Sequence, residues 1–143
     1  MFRLLVALVL LPLSLISTTS VTNAKYASIV IEAKSGRILH SINAKTKNYP
    51  ASLTKIMTLY MTFDALKKGK LKPHHTLNVS RVAASRSPSK LGLKAGQRIS
   101  VDNAIKALIV KSANDVATVL AEKLGGTERR VSKLMTARAK SLG

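Results

Sequence analysis

One strand–turn–strand signal, followed by little except helical periodicity, narrows the folds open to this chain more than any other feature. Ser28-Ile29-Val30-Ile31-Glu32 and Arg37-Ile38-Leu39-His40 flank Lys34-Ser35-Gly36, a β-hairpin pattern in which the glycine supplies the positive φ of the turn. Asn43 to Tyr49 is polar and leads as a loop into Pro50. From Ser52 onward Leu53, Ile56, Met57, Tyr60 and Met61 recur at helical spacing. Phe63 and Leu66 extend that run to Lys67-Lys68-Gly69, a basic last turn and a glycine stop. Leu71 to Gly96 reads as mostly irregular, with the turn formers Ser85 to Ser89 at its centre and Leu91, Leu93 and Ala95 alternating before Gly96. Ser100 then caps a helix through Ile105, Leu108 and Ile109. A further helix runs from Asp115 to Leu124, with Val116, Val119 and Leu120 on its apolar side, and ends at Gly125-Gly126. Thr127 caps the last, which turns Val131, Leu134 and Met135 inward. A hairpin followed by helices predicts an α+β fold. Two strands make a poor sheet by themselves, so the expectation is a domain whose remaining sheet strands are missing and whose helices lack a partner layer.

The N-terminus reads Met1-Phe2-Arg3, an apolar stretch from Leu4 to Ile16, and Ser/Thr-rich residues ending Thr22-Asn23-Ala24. A basic start, a short apolar core and a small residue before the cut are the layout of a secretory signal peptide over residues 1–24, with Lys25 opening the mature chain. The apolar run is shorter than the roughly 20 residues a membrane span needs. Residues 25–143 are enough for one modest core and not two. The chain has no cysteine, which removes disulfides and thiol chemistry from consideration. Its formal net charge of +18 raises the question of nucleic acid. The basic residues are spread along the chain, aromatics make up 3%, and no zinc finger, RNP sequence or Gly-rich phosphate loop is present, so no nucleic-acid partner is expected. The charge fits attraction to an anionic envelope surface instead. His40, His74 and His75 have no ligand spacing with a third partner and read as surface residues. No metal and no cofactor is expected.

Ser52-Leu53-Thr54-Lys55 is the candidate for chemistry, and taken alone it reads either as a nucleophile with its base or as a serine near a helix N-terminus with a solvated lysine beyond it. Residues three apart on a helix share a face, so the Lys55 amine reaches back toward the Ser52 hydroxyl. A serine becomes nucleophilic when a base takes its proton, and a lysine whose pKa is lowered by burial or a neighbouring cation can be that base. Free N–H groups at the helix start favour the negative charge that develops during acyl transfer. Ser87-Pro88-Ser89-Lys90 matches the same S-x-x-K pattern, but it lies among turn formers and reads as loop. A second constellation, Ser112-Ala113-Asn114, sits in a tight turn between two predicted helices. There the hydroxyl can relay a proton and the amide can bind substrate as donor and acceptor, while either residue is also a natural helix N-cap. Ser41-Ile42-Asn43 repeats the S-x-N pattern, ahead of Ser52 in a strand-exit loop.

Tyr49-Pro50-Ala51-Ser52-Leu53-Thr54-Lys55-Ile56-Met57-Thr58, followed by Ser112-Ala113-Asn114-Asp115, resembles the low-molecular-mass penicillin-binding proteins that are D-alanyl-D-alanine carboxypeptidases. Ile29 to Leu39, Ser89 to Gly96 and Leu134 to Gly143 resemble the same family, in the same order. The resemblance implies the β-lactamase/transpeptidase-like fold and an exported bacterial enzyme of the periplasm or cell envelope. It implies that Ser52 attacks the peptide bond between the two terminal D-alanines of a peptidoglycan stem pentapeptide. Lys55 would take the serine proton, Ser112 would pass it to the departing D-alanine, and Asn114 would hydrogen-bond the substrate backbone. β-Lactams would acylate Ser52, and Lys111 would add positive potential that keeps Lys55 neutral. The family's third element, K-T-G, has no match downstream of Ser112; Lys34-Ser35-Gly36 fits its pattern but precedes the nucleophile. That element would supply a cation for the substrate carboxylate and one oxyanion-hole donor, and loss of such a donor costs about 2.7–4 kcal/mol. The chain by itself is therefore expected neither to fold stably nor to turn over substrate. A class A β-lactamase-like hydrolase and a non-catalytic, cationic envelope-binding protein are the alternatives, separated by penicillin hydrolysis and by covalent labelling of Ser52.

Overall fold

The hairpin forms where the sequence places it. In the computed structural model, which describes residues 26–143, strand β1 (Ser28–Ile31) pairs antiparallel with β2 (Ile38–Ile42), Ser28 opposite Ile42 and Val30 opposite His40. The register shifts between Val30 and Ile31. Gly36 turns the chain at φ +71°, and its N–H donates to the Glu32 carbonyl at 2.9 Å. Asn43 Nδ2 donates to the Tyr26 carbonyl at 2.9 Å and ties the open end. The expected signal peptide, residues 1–24, lies outside the described residues. The described residues up to Tyr49 belong to one unit, and residues Pro50–Gly143 form a second. Within the first, Ile29, Val30, Ile31, Ile38 and Leu39 are each about half exposed, so among the described residues neither face of the two-stranded ribbon is fully covered by its own unit.

The second unit opens with a 3-10 turn, Ala51–Leu53, that runs directly into helix α1 (Thr54–Lys67). Ser52 therefore stands in the 3-10 turn ahead of the α-helix and not in its first turn. Gly69, at φ +68°, follows the last residues of α1 as the basic, glycine-terminated ending predicts. The stretch read as irregular contains two further elements. Strand β3 (Thr76–Asn78) pairs antiparallel with β4 (Arg98–Ser100), and helix α2 (Arg81–Ala84) starts at Ser80, whose hydroxyl accepts from the Ala83 N–H. Each strand has three residues and buries one side chain, Leu77 or Ile99, too short a run to show alternation.

Helices α3 (Val101–Lys111), α4 (Asn114–Gly125) and α5 (Glu128–Leu142) follow. Ser100 and Thr127 cap α3 and α5 as predicted, accepting from the Asn103 and Arg130 N–H groups at 3.2 Å. Helix α4 is the centre of the unit. Val116, Val119 and Leu120 are buried, and α1, α2, α3, α5 and β3 all pack on it. Leu77, Ile99, Val101 and Leu108 join the core from β3, β4 and α3, and Val79 from the link after β3. The helices pack on one another, while Ile56 and Phe63 of α1 and Ile109 and Val110 of α3 stay exposed. No helix among the described residues is long and apolar enough to cross a membrane.

Candidate active site

Two strained backbone positions frame the site. Ala51, beside Ser52, has φ +47°, and Ser112 sits in the left-handed region at φ +51°, ψ +40°. Non-glycine residues hold such conformations at a cost of about 1–3 kcal/mol and do so where the surroundings fix them. The Leu53 N–H closes the 3-10 turn on the Pro50 carbonyl at 3.0 Å. Ser52 is exposed, and among the described residues its hydroxyl has no hydrogen-bond partner. Helix α1 has neither a side-chain cap nor an acidic residue in its first turn, so nothing in its sequence neutralises the positive end of the helix beside Ser52.

Ser112 is the last link of α3, its N–H donating to the Leu108 carbonyl at 3.1 Å. Its left-handed conformation reverses the chain, so that carbonyl and hydroxyl together face α1. Lys55 Nζ donates to both, to the carbonyl oxygen and, at 3.0 Å, to Oγ. The structure thus brings together Lys55 and Ser112, 57 residues apart in sequence. Burial lowers the pKa of the Lys55 ammonium from the ordinary lysine value, since a partly desolvated cation is disfavoured. Lys111 is exposed, and burial rather than its charge accounts for the shift.

Asn114 begins α4, and its environment differs from the one expected. Its backbone N–H donates to the Ser89 carbonyl at 2.7 Å, and its side-chain Nδ2 donates to the Ser87 carbonyl at 2.9 Å. One amide hydrogen is therefore committed to the protein, and the side-chain oxygen is the group left to act as an acceptor. Neither Ser112 nor Asn114 caps α4; Ala113 occupies the cap position without a side-chain bond. The S-x-x-K copy at Ser87 to Lys90 is loop, as expected, and it is this loop that holds Asn114.

Asp115 stands in the sequence only as a helix start and as the last residue of the Ser112-Ala113-Asn114-Asp115 stretch, with no role of its own. It is fully buried, and its carboxylate accepts from the N–H groups of Leu91, Gly92 and Leu93 at 2.8–3.0 Å and of Val116 at 2.9 Å. Burial by itself would raise its pKa; the four backbone donors outweigh it and hold the carboxyl below its ordinary range. The available signal was one acid, among only six in the chain, directly following S-x-N on an otherwise apolar helix face. Beneath Lys55 lies a cavity of about 370 Å³ lined by Thr54, Thr58, Asn114, Thr118 and Glu128 among others. Arg86 and Thr118 hydrogen-bond at 3.0 Å, Thr118 donates to Glu128 at 2.8 Å, and Arg86 pairs with Glu128 along that wall. His40 and His74 are exposed, and no group of three His, Cys, Asp or Glu among the described residues is placed to hold a metal ion.

The structure brings Lys55 and Ser112 together, and no hydrogen bond among the described residues joins the Ser52 hydroxyl to either. Among known proteins, the family model described as D-alanyl-D-alanine carboxypeptidase, Peptidase_S11, matches residues 16–143. The chain belongs to the D-alanyl-D-alanine carboxypeptidase family. It is 33% identical over 126 residues to D-alanyl-D-alanine carboxypeptidase DacF of Bacillus subtilis, covering 88% of this chain and 32% of that protein. The crystal structure of the carboxypeptidase DacD from Francisella tularensis superposes with a TM-score of 0.77 at 38% identity, over 82% of this chain and 28% of that one. Penicillin-binding protein D2 from Listeria monocytogenes, solved in its cefotaxime-bound form, matches at 30% identity and a TM-score of 0.69, over 82% of this chain and 47% of that one. The described residues accordingly carry a part of the β-lactamase/transpeptidase-like fold. The chain spans about a third of the length of the curated carboxypeptidases it matches.

Proposed function

We propose that this chain supplies the attacking half of a serine D-alanyl-D-alanine carboxypeptidase. The observation that carries the reading is the double hydrogen bond from Lys55 Nζ to the carbonyl and hydroxyl of Ser112, next to the turn that exposes Ser52. Ser52 Oγ attacks the carbonyl carbon of the bond between two terminal D-alanines of a peptidoglycan stem peptide. Its proton passes to Lys55, lowered toward the neutral amine by burial. As the C–N bond breaks, the proton moves through Ser112 Oγ, 3.0 Å from Lys55, to the departing amine. Asn114 offers its side-chain oxygen to the substrate backbone. Water then hydrolyses the ester on Ser52 and releases the shortened peptide. A β-lactam presents the same reactive carbonyl and acylates Ser52 in place of substrate, in keeping with the β-lactam-bound Listeria relative.

Residues 1–24 act as an export signal in this reading, and the protein works in the bacterial cell envelope, where its substrate is found. The test is release of D-alanine by the full-length protein from a peptide ending in D-Ala-D-Ala. Release that is abolished in Ser52→Ala supports the proposal. Hydrolysis of penicillin without D-alanine release, or release that survives Ser52→Ala, contradicts it.

A further inference from the structure

Between α2 and β4 the chain crosses the α3–α4 turn and is fastened to it at six points. Ser89 Oγ donates to the Lys111 carbonyl at 2.9 Å. The Ser89 and Ser87 carbonyls accept from the backbone and side-chain N–H groups of Asn114. The N–H groups of Leu91, Gly92 and Leu93 all end on the Asp115 carboxylate. Residues 87–93 therefore form a strap whose one end holds Lys111 and Asn114, the two residues that bracket Ser112-Ala113. Half of the strap's bonds to the turn go to one buried carboxylate.

We propose that Asp115 is the positioning residue of this site: by clamping Leu91–Leu93 it locks the strap across the turn that presents Ser112 to Lys55 and aims Asn114. The left-handed conformation of Ser112 needs external support, and the strap supplies it on both flanks. The carboxylate suits the task because it has only acceptors, and here each bond comes from a backbone donor that has no strand partner. Asn at this position would turn an N–H2 toward one of those donors. Asp115 contacts none of the reacting groups; it acts through the strap and through its neighbour Asn114.

The inference rests on the carboxypeptidase reading for its consequence and on geometry alone for the clamp, so the experiment has two arms. In the first, amide hydrogen exchange is followed in the wild-type protein and in Asp115→Asn. Loss of bonds to a charged acceptor is expected to speed exchange at Leu91, Gly92, Leu93 and Asn114 by roughly tenfold or more, while amides in the middle of α1 keep their protection. In the second, the rate of Ser52 acylation by a fluorescent penicillin is measured on full-length protein well below its unfolding temperature. Misplacing a reacting group by about 1 Å costs up to about 10²-fold, and a loss of at least about tenfold is expected here. A folded Asp115→Asn with unchanged Asn114 exchange and unchanged acylation overturns the proposal, as does faster exchange confined to Leu91–Leu93. If Asp115→Asn does not fold, Gly92→Ala takes its place. Gly92 has φ +90° with open space around it, so alanine disturbs one clamp bond through backbone strain without a clash; the same two readouts must move in the same direction. A wild-type protein that penicillin does not acylate defeats the carboxypeptidase reading, and the exchange arm then decides the clamp independently.

Discussion

At the scale of single residues, the candidate site holds two ionisable groups moved in the same direction by different causes. Lys55 is lowered by burial, so the neutral amine that can accept the Ser52 proton appears below the ordinary lysine value of about 10.4. Acylation of Ser52 should rise with pH, with its midpoint below that value. Lys55→Met should remove the rise and cost about 10²–10⁴ in rate, the range of a general base; a pH-independent wild-type rate contradicts the assignment. Asp115 is lowered because four backbone donors outweigh the effect of its burial. A depressed carboxyl binds its proton less tightly folded than unfolded. Its contribution to stability is fully present above the unfolded value of about 3.9 and is lost as pH falls through the lower folded value. Denaturant unfolding of wild type and Asp115→Asn should show a stability gap that is widest above about pH 4 and narrows in acid. A gap that does not depend on pH contradicts the ionised clamp.

At the scale of elements, α4 and α5 meet at Gly125. A Cβ built there lies 2.6 Å from Val131 Cγ2 and 3.3 Å from Leu134 Cδ1. Val131 is buried and β-branched, so it has little room to turn aside. Gly125→Ala should lose about 1–3 kcal/mol to overpacking against a helix-propensity gain of up to about 1 kcal/mol. The net expectation is a lower midpoint in thermal unfolding; an unchanged or raised midpoint contradicts the close packing. Elements with long periodic runs were legible in the sequence: the hairpin, α1, and the caps of α3 and α5 at Ser100 and Thr127. Elements fixed by tertiary pairing were not. Strands β3 and β4 each have one buried side chain to announce them, and α2 is four residues long. The site shows the same division. Ser52, Lys55, Ser112 and Asn114 stand in local patterns, whereas the left-handed state of Ser112 and the strap on Asp115 arise from contacts across 22 to 57 residues.

At the scale of the whole molecule, the excess of 24 basic over 6 acidic residues gives a long-range field that local packing does not use. Charge of this kind steers association and is screened by salt. The protein should adsorb to vesicles containing anionic lipid at low ionic strength and be released as salt approaches about 0.15 M and above, where the Debye length is about 8 Å. Adsorption that salt does not weaken points to apolar insertion instead. The exposed apolar side chains of the hairpin belong to the same scale, because the described residues of its unit leave Ile29, Val30, Ile31, Ile38 and Leu39 half in solvent. In the proposed mechanism Ser52 is the nucleophile, served by Lys55 and Ser112. Intact-mass and peptide mapping of the full-length protein after incubation with benzylpenicillin tests it most directly. One penicilloyl adduct on Ser52, absent from Ser52→Ala and strongly slowed in Lys55→Met, is predicted. An adduct on any other residue, or none while the protein is folded, contradicts it.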